Sequence, residues 1–208
     1  SFPLGVIMTT TTTKLNALNT ILSVVGEPPI NSLTEDASKN ADAVIALNIL
    51  DEISREVQSG GWHFNTEHDV PLNPDASGTI LITTNIARVD CRYPESAKYD
   101  LVLRGTTLYD RKNRTSVFTG TIKATVVYLL DFESLPEPAR RLITIRAARV
   151  FQDRLVGSPQ QNAFTLRDEQ MAWISLREFE MDTRDSSIFD NYDVFRVIDR
   201  PSVSSRIS

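Results

Sequence analysis

His63 and His68, with Glu67 and Asp69, form the one stretch of this chain, "WHFNTEHD", whose residue types suit metal chemistry. A helical zinc pair needs His-x-x-x-His, which stacks both rings on one face. Here the histidines stand five apart beside a Gly-Gly break, so the cluster reads as polar residues of a turn and strand. Carboxylate chemistry has more material. Glu133 with Glu137, or Glu178 with Glu180, could be imagined flanking a sugar. Yet residues two apart on a helix point away from each other, and nothing else marks a cleft. Solvated faces and helix N-terminal acids account for these residues better. Two histidines and the single Cys91 leave little for a nucleophilic triad, and no Gly-x-Ser-x-Gly elbow occurs. Gly-x-x-x-x-Gly-Lys is absent, so no phosphate loop is expected. No catalytic residue, metal or cofactor is expected.

The arginines carry a different chemistry. Arg140, Arg141, Arg146, Arg149 and Arg154 fall within Leu135–Gly157, five arginines against two acids. At 100° per residue they scatter around a helix instead of making one phosphate-binding stripe. The following stretch, Ser158–Asp182, has two arginines against five acids, and Glu35–Ser59 has two bases against six acids. A basic helix among acidic ones predicts ion pairs between adjacent helices or adjacent subunits. Such pairs set register more than strength. Arg146, Arg149 and Arg154 are accordingly candidate partner-binding residues.

The elements that carry these residues follow from the texture of the chain. Its 208 residues are 41% hydrophobic and 24% charged, enough for one or two domains with a real core. A net charge of −5 argues against a generally basic nucleic-acid surface. One cysteine permits no internal disulfide, and Cys91 reads as a small apolar filler. No apolar run approaches the ~20 residues of a membrane span. Ser1 to Ile7 read as leftover residues before a natural start at Met8, and lack the charge of a secretory signal.

Leu15, Leu18, Ile21, Leu22 and Val25 mark one helix face, with Thr13 as its cap. "VVGEPPIN" stops it: Gly26 offers a left-handed residue, and Pro28-Pro29 forbid continuation. Thr34 is expected to cap a longer helix ending at Gly60-Gly61, with Ala37, Ala41, Ile45, Ile49, Ile53 and Val57 at four-residue steps. Further apolar residues widen that stripe, so the helix should be covered on more than one side. From Trp62 to Leu130 the chain turns β-rich: 79–91, 99–105, "TTLYDR" and 121–130 read as strands of one antiparallel sheet or two packed ones. Trp62 and Phe64 are expected to alternate as strand residues, with Trp173 as a packing partner. Helices return over Leu135–Gly157 and about Gln160–Met181, the second capped by Ser158 with Pro159 in its first turn.

The fold class expected is thus α+β. A discontinuous helical bundle of about four antiparallel helices (9–60 and 136–182) carries an inserted antiparallel β region (61–135). An extended C-terminal arm (183–208) follows, with Ile188, Phe189, Tyr192, Phe195 and Ile198 as apolar anchors. Such anchors are too sticky for a solvated terminus, so the arm should lie on another subunit.

In order, "LNTILSVVGEPPINSL", "ALNILDEISREVQSGGWHFN", "LPEPARRLITIRAARVFQDRLVGSP" and "REFEMD" resemble tail tubular protein A, the adaptor or gatekeeper family of short-tailed bacteriophages. The Gly-Glu-Pro-Pro corner and the Gln-Ser-x-Gly-Trp-x-Phe-Asn break are the most specific signatures. The resemblance implies a structural virion protein of the tail, assembled in the bacterial host cytoplasm as a dodecameric ring around the DNA channel. It implies as partners the portal protein, the nozzle (tail tubular protein B) and the tail fibre, with genomic DNA passing unbound. Two rival readings come from the residues: a tail-associated hydrolase of envelope polysaccharide or peptidoglycan, and a small basic-helix DNA-binding module.

Overall fold

The computed structural model describes residues 11–155, 157 and 164–189. Helix α1 (Lys14–Ser23) starts where Thr13 Oγ1 accepts the Asn16 N–H at 3.1 Å, and buries Ala17, Leu18, Ile21 and Leu22. It ends on Gly26 at φ +82°, and the Glu27 N–H returns to the Leu22 carbonyl at 3.2 Å. After the two prolines the chain is tied back by Asn19, whose side chain donates to the Ile30 carbonyl (3.0 Å) and accepts its N–H (2.9 Å). The corner thus folds Ile30 onto the helix it has just left, where it is buried.

The single helix expected after Thr34 is two. Helix α2 (Glu35–Lys39) is separated from α3 (Ala41–Ser59) by Asn40, which is extended and accepts the Asp42 and Ala43 N–H groups at 2.9 and 3.2 Å. An Asn side chain competes with the backbone for these donors and so starts a new helix. Thr34 makes no cap bond; Ser32 Oγ accepts the Thr34 and Glu35 N–H groups instead. The restart also turns the helix. Ala43, Ala46, Ile49, Leu50, Ile53 and Val57 are buried, whereas Ala41 and Ile45 are exposed.

Beyond Gly61, at φ +77°, the expected strand over Trp62 and Phe64 is a 3-10 turn (His63–Asn65). The buried Asn65 side chain forms it, accepting the Trp62 N–H (2.8 Å) and donating to the Gln58 and Tyr128 carbonyls (2.9 and 2.7 Å). Gln58 adds a reciprocal pair with the backbone of Leu130, at 3.1 and 2.7 Å. These two amides pin the helices to the sheets.

Five strands follow: β1 (Thr66–Leu72), β2 (Ile86–Asp90), β3 (Leu101–Arg104), β4 (Thr107–Asp110) and β5 (Ile122–Tyr128). They make a three-stranded sheet, β1-β5-β2, and a β3-β4 hairpin, all antiparallel. Of the long strand expected over 79–91, only β2 is regular, with single bridges at Thr79 and Leu81. β1 contains Pro71, tolerated because this is an edge strand. The two sheets share a core of Ile80, Val89, Leu101, Leu108, Ile122 and Val126, separate from that of the helices.

Asp110 closes the hairpin side. Fully buried, it accepts the Asp100 and Lys112 N–H groups (2.9 and 3.0 Å) and the Asn113 amide (2.5 Å). Burial pushes its carboxyl up, but the hydrogen bonds from Asp100, Asn113 and Lys112 outweigh this and hold it below the ordinary 3.8. Asp110→Ala should cost about 1–3 kcal/mol at neutral pH, because three part-buried donors lose their acceptor. A lowered folded pKa stabilises above the unfolded value, and that contribution drains as pH falls through the folded one. Urea titrations at pH 7 and pH 3 should therefore show the gap between wild type and variant narrowing in acid.

Helix α4 (Glu137–Leu155) lies at the centre, packed against α1, α3 and α5 (Leu166–Phe189). Its buried residues, among them Leu142, Ile143, Ile145, Ala148 and Phe151, run around most of its circumference. Helix α5 starts later and ends later than expected. Thr165 and Asp168 exchange hydrogen bonds as a capping box, which sets the start. With no Gly or Pro between Leu166 and Phe189, the helix continues past Asp182 to Phe189, into the stretch expected as the arm. The expected Ser158-Pro159 start lies outside the described residues. The architecture is α+β, a helical bundle with antiparallel sheets inserted between α3 and α4.

Candidate functional site

The arginines of α4 meet their acids within the chain. Arg146 bonds Glu56 of α3 at 2.8 Å and lies 3.4 Å from Glu169 of α5. Arg149 bonds Glu169 at 2.6 Å and Asp153, one turn on, at 3.1 Å. Arg154 stands 3.7 Å from Glu52. One acid, Glu169, therefore receives two guanidiniums and ties α5 to α4. The pairs 56–146 and 52–154 also fix α3 antiparallel to α4.

A second polar knot joins the starts of α1 and α4. Arg140, 6% exposed, donates from Nε to the Leu135 carbonyl (2.7 Å), from Nη1 to that of Thr12 (2.8 Å) and from Nη2 to that of Glu133. Glu133 accepts the Lys14 N–H at 3.0 Å, and Glu137 accepts Thr12 through its N–H at 3.0 Å and its hydroxyl. These carboxylates sit at the positive end of the α1 dipole. Both are engaged with backbone and do not flank a shared cleft. Glu180 is buried and accepts the His63 N–H, so it too holds structure, joining α5 to the 3-10 turn.

The histidines are drawn into a different arrangement from the one their spacing suggested. His68 contacts Thr125 and Arg92 (3.2 and 3.0 Å), and a cleft of about 600 Å³ opens between His63, His68 and strand β2. Among the described residues no group of three His, Cys, Asp or Glu could hold a metal ion. Cys91 lines the cleft half-buried; burial, then the charge of Asp90, pushes its thiol above the ordinary 9.0.

The feature that sequence reasoning missed is on α5. Among its described side chains this helix buries only Ala172, Leu176 and Glu180, one residue per turn. Met171, Ile174 and Met181 point the opposite way and are 56%, 47% and 62% exposed. Trp173 packs edge-on against Trp62 (ring centroids 5.4 Å apart), which in turn stacks on Phe64, but part of its indole stays open. Leu142, Arg146, Gln170, Trp173 and Ile174 line a groove of about 380 Å³ between α4 and α5. An exposed apolar row of this length, rimmed by charge, marks a protein contact. The signal was present in the sequence: from 171 to 181 apolar residues occur on every side of the helix.

Of the candidate partner-binding residues, Arg146, Arg149 and Arg154 are thus brought onto one side of α4. Ile188 and Phe189 fall in the last turn of α5, and Tyr192, Phe195 and Ile198 lie outside the described residues. No helix among the described residues is long and apolar enough to cross a membrane.

A packed bundle whose last helix keeps a bare apolar side is the arrangement of a part meant for assembly, and comparison with known proteins agrees. The family model described as "Tail tubular protein" matches residues 15–186. Tail tubular protein A of Klebsiella phage KP34 is 28% identical over 167 residues, covering 79% of this chain and 86% of that protein. The chain belongs to the tail tubular protein family, structural components of the phage tail.

Proposed function

We propose that this protein is the adaptor of a short phage tail: a dodecameric ring joining the portal to the nozzle, lining the DNA channel and supporting fibre attachment. The observation that carries the reading is the open side of α5, where Met171, Ile174 and Met181 stay about half exposed among the described residues. A helix face of this kind, repeated on each copy, suits a contact that closes into a ring. Arg154, more open than Arg146 and Arg149, is the arginine best placed to bond a neighbour. Ile188, Phe189, Tyr192, Phe195 and Ile198 are further candidate anchors for a partner, by their apolar type. The acidic balance of the chain suits a wall that lets DNA slide, since many phosphate contacts would arrest it.

Electron microscopy of the chain mixed with its cognate portal tests the proposal. The expected result is a ring of twelve copies seated on one end of the portal. Portals that remain bare at high adaptor concentration would refute it. No observation on the carboxylates favours the hydrolase reading.

A further inference from the structure

The cleft beside the helix–sheet joint is built around two arginines. Arg88, on β2, makes no hydrogen bond or ion pair with any described residue. Its Nη2 lies against Gly61, so closely that a Cβ there would meet it at 2.7 Å and the Val127 methyl at 3.2 Å. The glycine at φ +77° therefore makes room for the guanidinium. Arg92 enters from the end of the same strand and donates to His68 Nε2 at 3.0 Å, while His68 Nδ1 faces Thr125 Oγ1 at 3.2 Å. A ring nitrogen that accepts from Arg carries no proton, so His68 orients Arg92 without adding charge. Thr66 Oγ1, on the cleft wall, is buried without a hydrogen-bond partner.

Two guanidiniums and a spare hydroxyl suit an oxyanion. Asp90, on the same wall, leaves the cleft with a surplus of one positive charge, which fits a single carboxylate better than a run of phosphates. The chain itself carries such a ligand. Residues 190–199, "DNYDVFRVID", place Asp190, Asp193 and Asp199 among apolar and aromatic residues. Helix α5 passes the cleft at Glu180 and runs on to Phe189, about 14 Å further at 1.5 Å per residue. Ten further residues, at about 3.3 Å each, are long enough to reach the cleft of an adjoining copy in the proposed ring.

We infer that the joint cleft receives an aspartate of residues 190–199 from a second copy of this chain, held by Arg88 and Arg92. The inference rests on the ring proposed above. It links each copy to the next by an extended segment, in addition to the helix contact.

Cys91, the single cysteine, lines the cleft and serves as a probe. Full-length Asn191→Cys, Val194→Cys and Arg200→Cys chains, which keep every aspartate, would be assembled on portals, oxidised and mapped by mass spectrometry. Expected is a ladder of multimers linked between Cys91 of one copy and the new cysteine of the next, for at least one of the three. Adding Arg88→Glu and Arg92→Glu should cut the yield at least tenfold with unchanged circular dichroism. A link within one copy, or no link to Cys91 in rings that do form, overturns the inference and leaves the ring standing. Failure of the unaltered chain to form rings overturns both.

Discussion

Arg140→Leu is expected to lower the stability of the free chain by about 3 kcal/mol, the largest effect of any polar substitution in the molecule. Its guanidinium serves the carbonyls of Thr12, Glu133 and Leu135, each bond to a charged donor being worth about 1.5–3 kcal/mol, with part of the loss at the part-buried Thr12 and Glu133 bonds made good by water. The leucine would leave the Leu135 carbonyl buried without its donor. For a chain of this size the melting temperature should fall by about 6–12 °C. Arg140→Lys should rescue little, because an ammonium cannot reach three carbonyls from one planar fork. Urea unfolding followed by circular dichroism measures the change. A loss below about 1 kcal/mol would show that the starts of α1 and α4 are joined by their apolar contacts alone.

Ile174→Asp should have the opposite profile: nearly unchanged folding and lost assembly. The side chain is half exposed and faces away from Ala172, Leu176 and Glu180, so the free chain should change by no more than about 0.5 kcal/mol. In a ring contact, burying an isoleucine is worth about 1.5–3 kcal/mol, and an aspartate adds the cost of dehydrating its charge. A loss of about 3 kcal/mol at each contact weakens it more than a hundredfold. Sedimentation and negative-stain images of portal mixtures should show free chains only. Met171→Asp, also opposite the buried stripe, should behave alike, whereas Arg167→Asp, a polar change on an exposed turn of α5, is the control. Normal rings from Ile174→Asp would place the contact elsewhere on the molecule.

Where local chemistry decides, the sequence was readable. Thr13, Gly26 and the prolines act within a few residues of themselves, and α1 with its corner follows. The opposite charges of α4 and its neighbours forecast ion pairs, and the structure supplies them. That one glutamate, Glu169, would take both Arg146 and Arg149 depends on how α4 and α5 are rotated, which no local pattern records. Asn40 was overlooked because the apolar steps run through it, although its capping bonds are local. Trp62 and Phe64 alternate as a strand would. Asn65, bonding the carbonyls of Gln58, 7 residues back, and Tyr128, 63 residues on, bends them into a turn instead. The pairing of β5 between β1 and β2 is likewise a long-range choice. Helix α5 is legible in its apolar residues, but which of them face out depends on how it packs against α4.

The pairing of Leu72 with Ile122 has a consequence of its own. The chain departs from the helices along one strand and comes home along its immediate neighbour, which holds the ends of α3 and α4 at one spacing, with β2 joining the same sheet beside α3. Growth or exchange of the β3-β4 hairpin and its loops leaves that spacing untouched. Evolution can therefore refashion the outer part while the helical frame keeps its dimensions.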